Sequence, residues 1–272
     1  LDPIRWQMVY DIPEDAPVVA TFDFLDKLAN RTSLYTLYTL WINASPFRHG
    51  EPFQLPNDTR FALIDWGCPW LWGNVSSGDT DRSRAVLQRL SDFYFKEGWQ
   101  VKNAVEEIVL LEKSETSRLP SLVEVLRNPA PEPLSNPPLT VDNQFLLLNL
   151  AVDQQNSLSS ATVPLTFLWK AGQDITDLYR MVIALKKEGK IIFHWRRHPG
   201  YGIYATPLWK KGDYIKEHYW LLLPSLSPGE YTISISLVNI TKQQGAQLTY
   251  QGQSGNAVSV ATFRVSRGKE GE

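Results

Sequence analysis

Two domains of unlike build are predicted for this chain: a small α/β domain, Rossmann-like and three-layered, followed by an antiparallel β-sandwich, so that the whole is α+β. Three observations carry the prediction. Residues 1–127 alternate short apolar runs with segments of helical periodicity. Five prolines then gather between Asn128 and Pro138, and because proline fixes φ and removes a donor, residues 128–140 are expected to be an extended linker. From 141 to 267 helical periodicity is scarce, and seven short alternating segments separated by turn residues predict a sandwich, immunoglobulin-like or jelly-roll.

Within the first domain, Ala16 to Thr21 reads as a buried strand and Phe22 to Ala29 as a helix, closed by Asn30-Arg31. Ser33 to Leu40 reads as a second strand and Arg60 to Asp65 as a third. Gly78-Asp79-Thr80-Asp81 can cap a helix from about Arg82 to Phe95, with Ala85, Leu87, Leu90, Phe93 and Tyr94 as its apolar face. Trp99–Val105 and Glu107–Glu112 complete the sheet as a hairpin. The sandwich strands are expected at Phe145–Val152, Val163–Ala171, Leu178–Lys186, Lys190–Arg196, Lys216–Leu223, Gly229–Val238 and Ala257–Val265, with a hairpin tip at Lys187-Glu188-Gly189-Lys190.

Composition narrows the function classes. Lys and Arg number 27 against 29 Asp and Glu, a formal net charge of -2, so nothing argues for a nucleic-acid partner. The only cysteine, Cys68, excludes an internal disulfide and a cysteine-built metal cage. No run approaches the roughly 18–20 apolar residues that span a bilayer. The chain is therefore expected to be soluble, and its start at Leu1 without Met suggests a piece of something longer. Its polar end, Ser266 to Glu272, reads as a natural terminus or a frayed tail.

Candidate ligand contacts fall in two groups. Trp66, Trp70 and Trp72 could form an aromatic platform for sugar rings, because indole faces pack on the C–H face of a pyranose. The alternative is that these rings cover the end of the sheet. In the sandwich, Trp195, Tyr201, Tyr204 and Trp209 could line an aromatic groove, and Arg196 with Arg197 could contact an anion or a partner. His194 and His198 are four apart, but the segment reads as a strand running into Pro199-Gly200 rather than as a helix, so no metal site is expected. The paired acids have simpler explanations: Asp79 and Asp81 as caps, Glu106 and Glu107 in a hairpin turn, Asp174 and Asp177 in a loop. No phosphate loop, nucleophile elbow or His-Glu-x-x-His is present, so no catalytic residue and no cofactor is expected. Asn-x-Ser/Thr sequons occur at Asn30, Asn43, Asn57, Asn74 and Asn239.

Two sets of residues carry a resemblance. Ile12-Pro13-Glu14-Asp15-Ala16-Pro17-Val18-Val19-Ala20, Leu28-Ala29-Asn30-Arg31 leading to Leu34-Tyr35, and Leu55 to Asp65 resemble the tail that follows the membrane helices in the DUF2079 family of polytopic membrane proteins. That family is similar in layout to membrane-embedded glycosyltransferases that use lipid-linked sugars. Leu165 to Trp169, Tyr204 to Gly212, and Leu223-Pro224 to Gly229-Glu230-Tyr231 look like a jelly-roll or immunoglobulin-like module appended to such proteins. The resemblance implies an extracytoplasmic location at a bacterial membrane, with the catalytic acid in a membrane part not supplied here. The implied role is noncatalytic: docking a glycan, a lipid-linked sugar acceptor or a partner protein. The alternatives are an independent carbohydrate-binding module and a glycan-active enzyme.

Overall fold

The computed structural model describes residues 2–44, 51–73, 75, 80–114, 119–127, 138–153 and 162–265. The chain divides into two compact units, Leu1–Ser121 and Leu122–Glu272.

The first unit contains α1 (Asp2–Tyr10), β1 (Val18–Ala20), α2 (Phe22–Leu28), β2 (Leu34–Thr36), α3 (Leu37–Ile42), β3 (Phe61–Asp65), α4 (Pro69–Gly73), α5 (Thr80–Lys96), β4 (Gln100–Val105) and β5 (Ile108–Glu112). Its sheet has the order β2-β1-β3-β5-β4. The first three strands are parallel, and β5 and β4 add on antiparallel as a hairpin. Every residue of β1 and β3 is buried, as expected of parallel strands covered on both faces, which is why they read as continuous apolar runs. Arg31 donates to the carbonyls of Ile12 and Pro13, so two of the segments that carry the family resemblance are tied to each other.

Residues 33–40, expected as one strand, divide into β2 and α3. The Thr36 Oγ1 accepts from the Tyr38 N–H, capping the helix at its first turn. Leu37 and Trp41 then fall one turn apart and are both buried, a helical spacing that the strand reading missed. In α5 the inward face is Val86, Leu87, Leu90, Phe93 and Tyr94, while Ala85 is exposed. Gly78 and Asp79 of its expected cap lie outside the described residues.

The second unit contains β6 (Val123–Leu126), β7 (Leu139–Val141), β8 (Phe145–Val152), β9 (Thr162–Ala171), β10 (Tyr179–Lys187), β11 (Lys190–Arg197), β12 (Tyr214–Leu222), β13 (Gly229–Asn239), β14 (Gln244–Gly245), β15 (Leu248–Tyr250), β16 (Gln253–Gly255) and β17 (Val258–Val265). All pairings are antiparallel, in two sheets: β16-β15-β7-β8-β9-β12-β6, and β11-β10-β13-β14 with β17 also on β13. The sheets meet through aromatic contacts such as Phe145 with Tyr179, 5.0 Å between centroids, which makes the unit a β-sandwich. The opening of this unit differs from the expected boundary at 127. Val123 to Leu126 hydrogen-bonds along β12, so these residues belong to the sandwich. Residues 128–137 of the expected linker lie outside the described residues, and Leu139 and Thr140 are already strand. The connection from β12 to β13 crosses from one sheet to the other.

The sandwich core is aromatic, with Phe145, Phe167, Trp169, Tyr179, Trp209, Tyr219 and Tyr231 all buried. Arg197 on β11 and Glu217 on β12 meet inside it at 2.6 Å, with side chains 1% and 0% exposed. Glu217 also accepts from the Trp169 Nε1 at 2.7 Å and from the Tyr201 N–H at 2.9 Å. The guanidinium lies over the Tyr219 ring at 4.1 Å and near those of Phe167 and Tyr201. The carboxylate accepts from three donors and the cation lies among three rings, so the two form a paired inter-sheet clasp rather than an isolated buried charge, with the Arg197 Nη1 left without a hydrogen-bond partner among the described residues.

His198 is buried beyond the end of β11, its Nδ1 2.9 Å from the Tyr179 carbonyl. That carbonyl can only accept, so Nδ1 carries a proton. Burial pushes its pKa down to about 3, helped by Arg180 and Arg197 and opposed by the bond to Tyr179. Unfolding returns it to about 6.5, so the unfolded chain binds the extra proton, and stability, full above that value, falls as pH drops toward 3. At about pH 4.5 the second unit should be ~2–3 kcal/mol less stable than at pH 7.5. Urea unfolding at the two pH values checks this; His198→Gln should remove most of the difference.

Candidate functional site

In the first unit, the ends of β1 and β3 face each other across one register of the parallel sheet. The Thr21 Oγ1, immediately after β1, accepts from the Asp65 N–H at the end of β3 at 3.0 Å. Thr21 therefore ties two strand ends together instead of capping α2, where its side chain makes no cap bond. Asp65 is buried; its Oδ2 accepts from the Arg5 Nη2 at 2.9 Å and its Oδ1 from the Gly67 N–H at 2.9 Å. Burial raises its pKa, against the pull of Arg5 and Gly67 and with a smaller push from Asp23. Cys68 is buried nearby, its thiol pushed up to about 11 by burial and by Asp23, which makes it an inert packed sulfur rather than a nucleophile. A Cβ on Gly67 would meet the Glu107 Oε2, so a larger residue here would require the Glu107 side chain to move aside.

The three tryptophans of this region separate. Trp66 is buried, its backbone N–H bonded to the Glu107 carbonyl. Trp72 is half-buried, and its Nε1 donates to the Trp66 carbonyl at 2.6 Å. Trp70 alone is turned out, 67% exposed. Pro69 opens α4, and Leu71 takes the buried side of that single turn, which leaves the preceding residue facing outward. Trp70 stands edge-on to Phe22, 6.4 Å between centroids, and Phe22, 43% exposed, is 5.4 Å from Tyr38. Tyr38 in turn meets the buried Trp41 at 5.8 Å. Phe22 follows β1, Tyr38 follows β2 and Trp70 follows β3, so each ring stands just beyond the carboxyl end of a parallel strand. Phe22 and Tyr38 had no sequence signal as ligand contacts, since Phe22 reads as an ordinary apolar helix position and Tyr38 as part of an apolar strand.

The residues proposed for a groove in the sandwich go elsewhere. Trp195, Tyr201 and Trp209 are buried at 5%, 3% and 0% exposure. Trp209 packs edge-on to Phe145 at 5.2 Å and donates its Nε1 to the Tyr204 carbonyl at 2.7 Å. The Tyr204 hydroxyl lies 2.8 Å from the Asp213 Oδ2 and 2.9 Å from the Leu208 carbonyl; burial and Asp213 raise its pKa. The Thr206 hydroxyl donates to the Asp177 carbonyl and accepts from the Tyr179 N–H. The Tyr204 to Trp209 segment is thus a packed corner, with Lys210 to Gly212 exposed beyond it, and the burial of Trp209 there and of Trp195 on β11 removes both as exposed ligand surfaces. Arg196 is exposed and Arg197 is consumed by Glu217. His194 is exposed and His198 buried. The sequon at Asn239 is buried, its Nδ2 donating to the Asp177 Oδ2 at 2.9 Å.

Among the described residues no helix is long and apolar enough to cross a membrane. No family model matches the chain, and no curated protein does. Among solved structures, that of chicken MD-1 complexed with lipid IVa matches over 42% of this chain and 99% of its own at 16% identity, with a TM-score of 0.26. A score that low carries no argument about fold or ligand.

Proposed function

We propose that this chain is a noncatalytic extracytoplasmic region of a membrane protein resembling lipid-sugar-dependent glycosyltransferases, and that its first unit presents an aromatic edge to a glycan or lipid-linked sugar acceptor. The observation that carries the reading is Trp70, a large ring two-thirds exposed and braced edge-on by Phe22. Its position supports a ligand role. β1 lies between β2 and β3, so the chain leaves β1 toward one side of the sheet and returns to the other. Phe22 and Trp70 follow the two strands that flank this switch point, and open α/β sheets bind ligands outside the carboxyl ends of strands at such points. We read the first unit as a Rossmann-like layered domain on the same parallel core. An exposed indole costs solvent contact with apolar surface, which stacking on a sugar face would relieve.

Titrating an oligosaccharide panel into the full chain should give a saturable change in tryptophan fluorescence. Trp70→Ala should weaken the interaction by at least about tenfold, as truncation of an anchoring aromatic does. No response from any glycan, or a response indifferent to Trp70→Ala, would end the proposal.

A further inference from the structure

The hairpin formed by β10 and β11 carries an unusual tip. Lys187 pairs with Lys190 across Glu188 and Gly189, both at positive φ, a tight two-residue turn. Lys186 then pairs with Ile191 and Leu185 with Phe193, so Ile192 is the extra residue of a bulge. The bulge breaks the in-out alternation and leaves three consecutive apolar side chains in solvent: Ile191 at 62%, Ile192 at 44% and Phe193 at 42% exposure. These residues lie on the edge strand of their sheet, where proteins ordinarily place charges to block association. Basic residues surround them: Lys186 and Lys190 at the tip, and Arg180 and Arg196 further along the hairpin. Glu188 is the only acid between Tyr179 and Arg197.

We infer that this hairpin tip docks on an anionic lipid surface, with Ile191, Ile192 and Phe193 entering the interface and the lysines meeting the headgroups. The inference stands on the second unit alone and is independent of the glycan reading. Apolar side chains ringed by cations with long aliphatic stems suit a boundary that is negative outside and apolar beneath. By register, Ile191 shares a face with Lys186 and Phe193 shares one with the inward-facing Leu185. A partner strand would cover only the backbone edge between those faces, whereas a bilayer envelops a tip from every side. A second copy is disfavoured by charge, since antiparallel pairing of β11 with itself about Phe193 sets Lys190 opposite Arg196.

Co-sedimentation of the full chain with phosphatidylcholine vesicles, with and without phosphatidylglycerol, tests this. Binding is expected only with phosphatidylglycerol, weakening as salt is raised. The charge-reversed K186E/K190E should lose at least about tenfold in partition coefficient, because each basic residue at an anionic surface contributes on the order of a fivefold factor. The apolar-to-polar I191S/I192S should lose a comparable amount. As a check that does not depend on those variants, a polarity-sensitive dye on Ile192→Cys should shift to the blue on anionic vesicles; the native Cys68 is buried. Absence of binding, binding unchanged in both variants, or an unshifted dye would overturn the inference. So would a concentration-dependent dimer abolished by I191S/I192S, which would assign the tip to a second copy.

Discussion

Replacing Glu217 with alanine should lower the unfolding free energy of the second unit by ~3–5 kcal/mol, the range for breaking a buried ion pair from one side. The carboxylate accepts from the Arg197 Nη2, the Trp169 Nε1 and the Tyr201 N–H, all buried. Alanine leaves a buried cation and two buried neutral donors without their protein acceptor. Glu217→Gln keeps the volume and one acceptor oxygen, so its loss should be intermediate. Urea unfolding at neutral pH decides the matter. A loss under about 1 kcal/mol, the value of a surface pair, would mean that the clasp is solvated and the sheets do not depend on it.

Trp209→Ala should cost a similar ~3–5 kcal/mol, through the cavity left by a fully buried indole. The ring is 0% exposed and packs against Phe145, Trp169 and the corner at Gly200, whose φ of 67° and proximity to the Trp209 Nε1 leave little room to collapse. Trp70→Ala, on the exposed edge of the first unit, should change stability by only about 0.5 kcal/mol. The contrast separates structural from presented tryptophans. Were Trp209 a ligand ring in an open groove, its truncation would be nearly neutral, and equal small effects at both positions would contradict the packing described here.

The strands were the most legible part of the sequence. Phe145–Val152, β9, β10, β12 and β13 stood out because one face of each is more deeply buried than the other, so alternation survives in the residue order. The residues at 33–40 read as one strand because Leu-Tyr-Thr-Leu-Tyr-Thr-Leu-Trp is apolar at two of every three positions, a density that fits a short buried strand as well as a helix; the Thr36 cap marks where the helix begins. Val123–Leu126 escaped notice as a short run just before the prolines, and its membership of the sandwich depends on β12, some ninety residues later. Aromatic identity signalled candidate ligand contacts but not their exposure. Trp70 and Trp209 look alike in sequence, and only the turn opened by Pro69 turns one outward while the packed corner at Tyr204 holds the other inside. The Arg197–Glu217 clasp left no trace in the sequence, since nothing local links residues twenty apart on different sheets.

The central claim is that ligand contact belongs to the Trp70 edge and not to the buried rings. It is tested most directly by following the indole N–H resonances of the chain's ten tryptophans during titration of the full chain with the glycans that quench its fluorescence. One resonance, identified as Trp70 by its absence in Trp70→Ala, should shift saturably while those of Trp169 and Trp209 stay in place. Shifts confined to buried indoles, or no shift at saturating glycan, would contradict it.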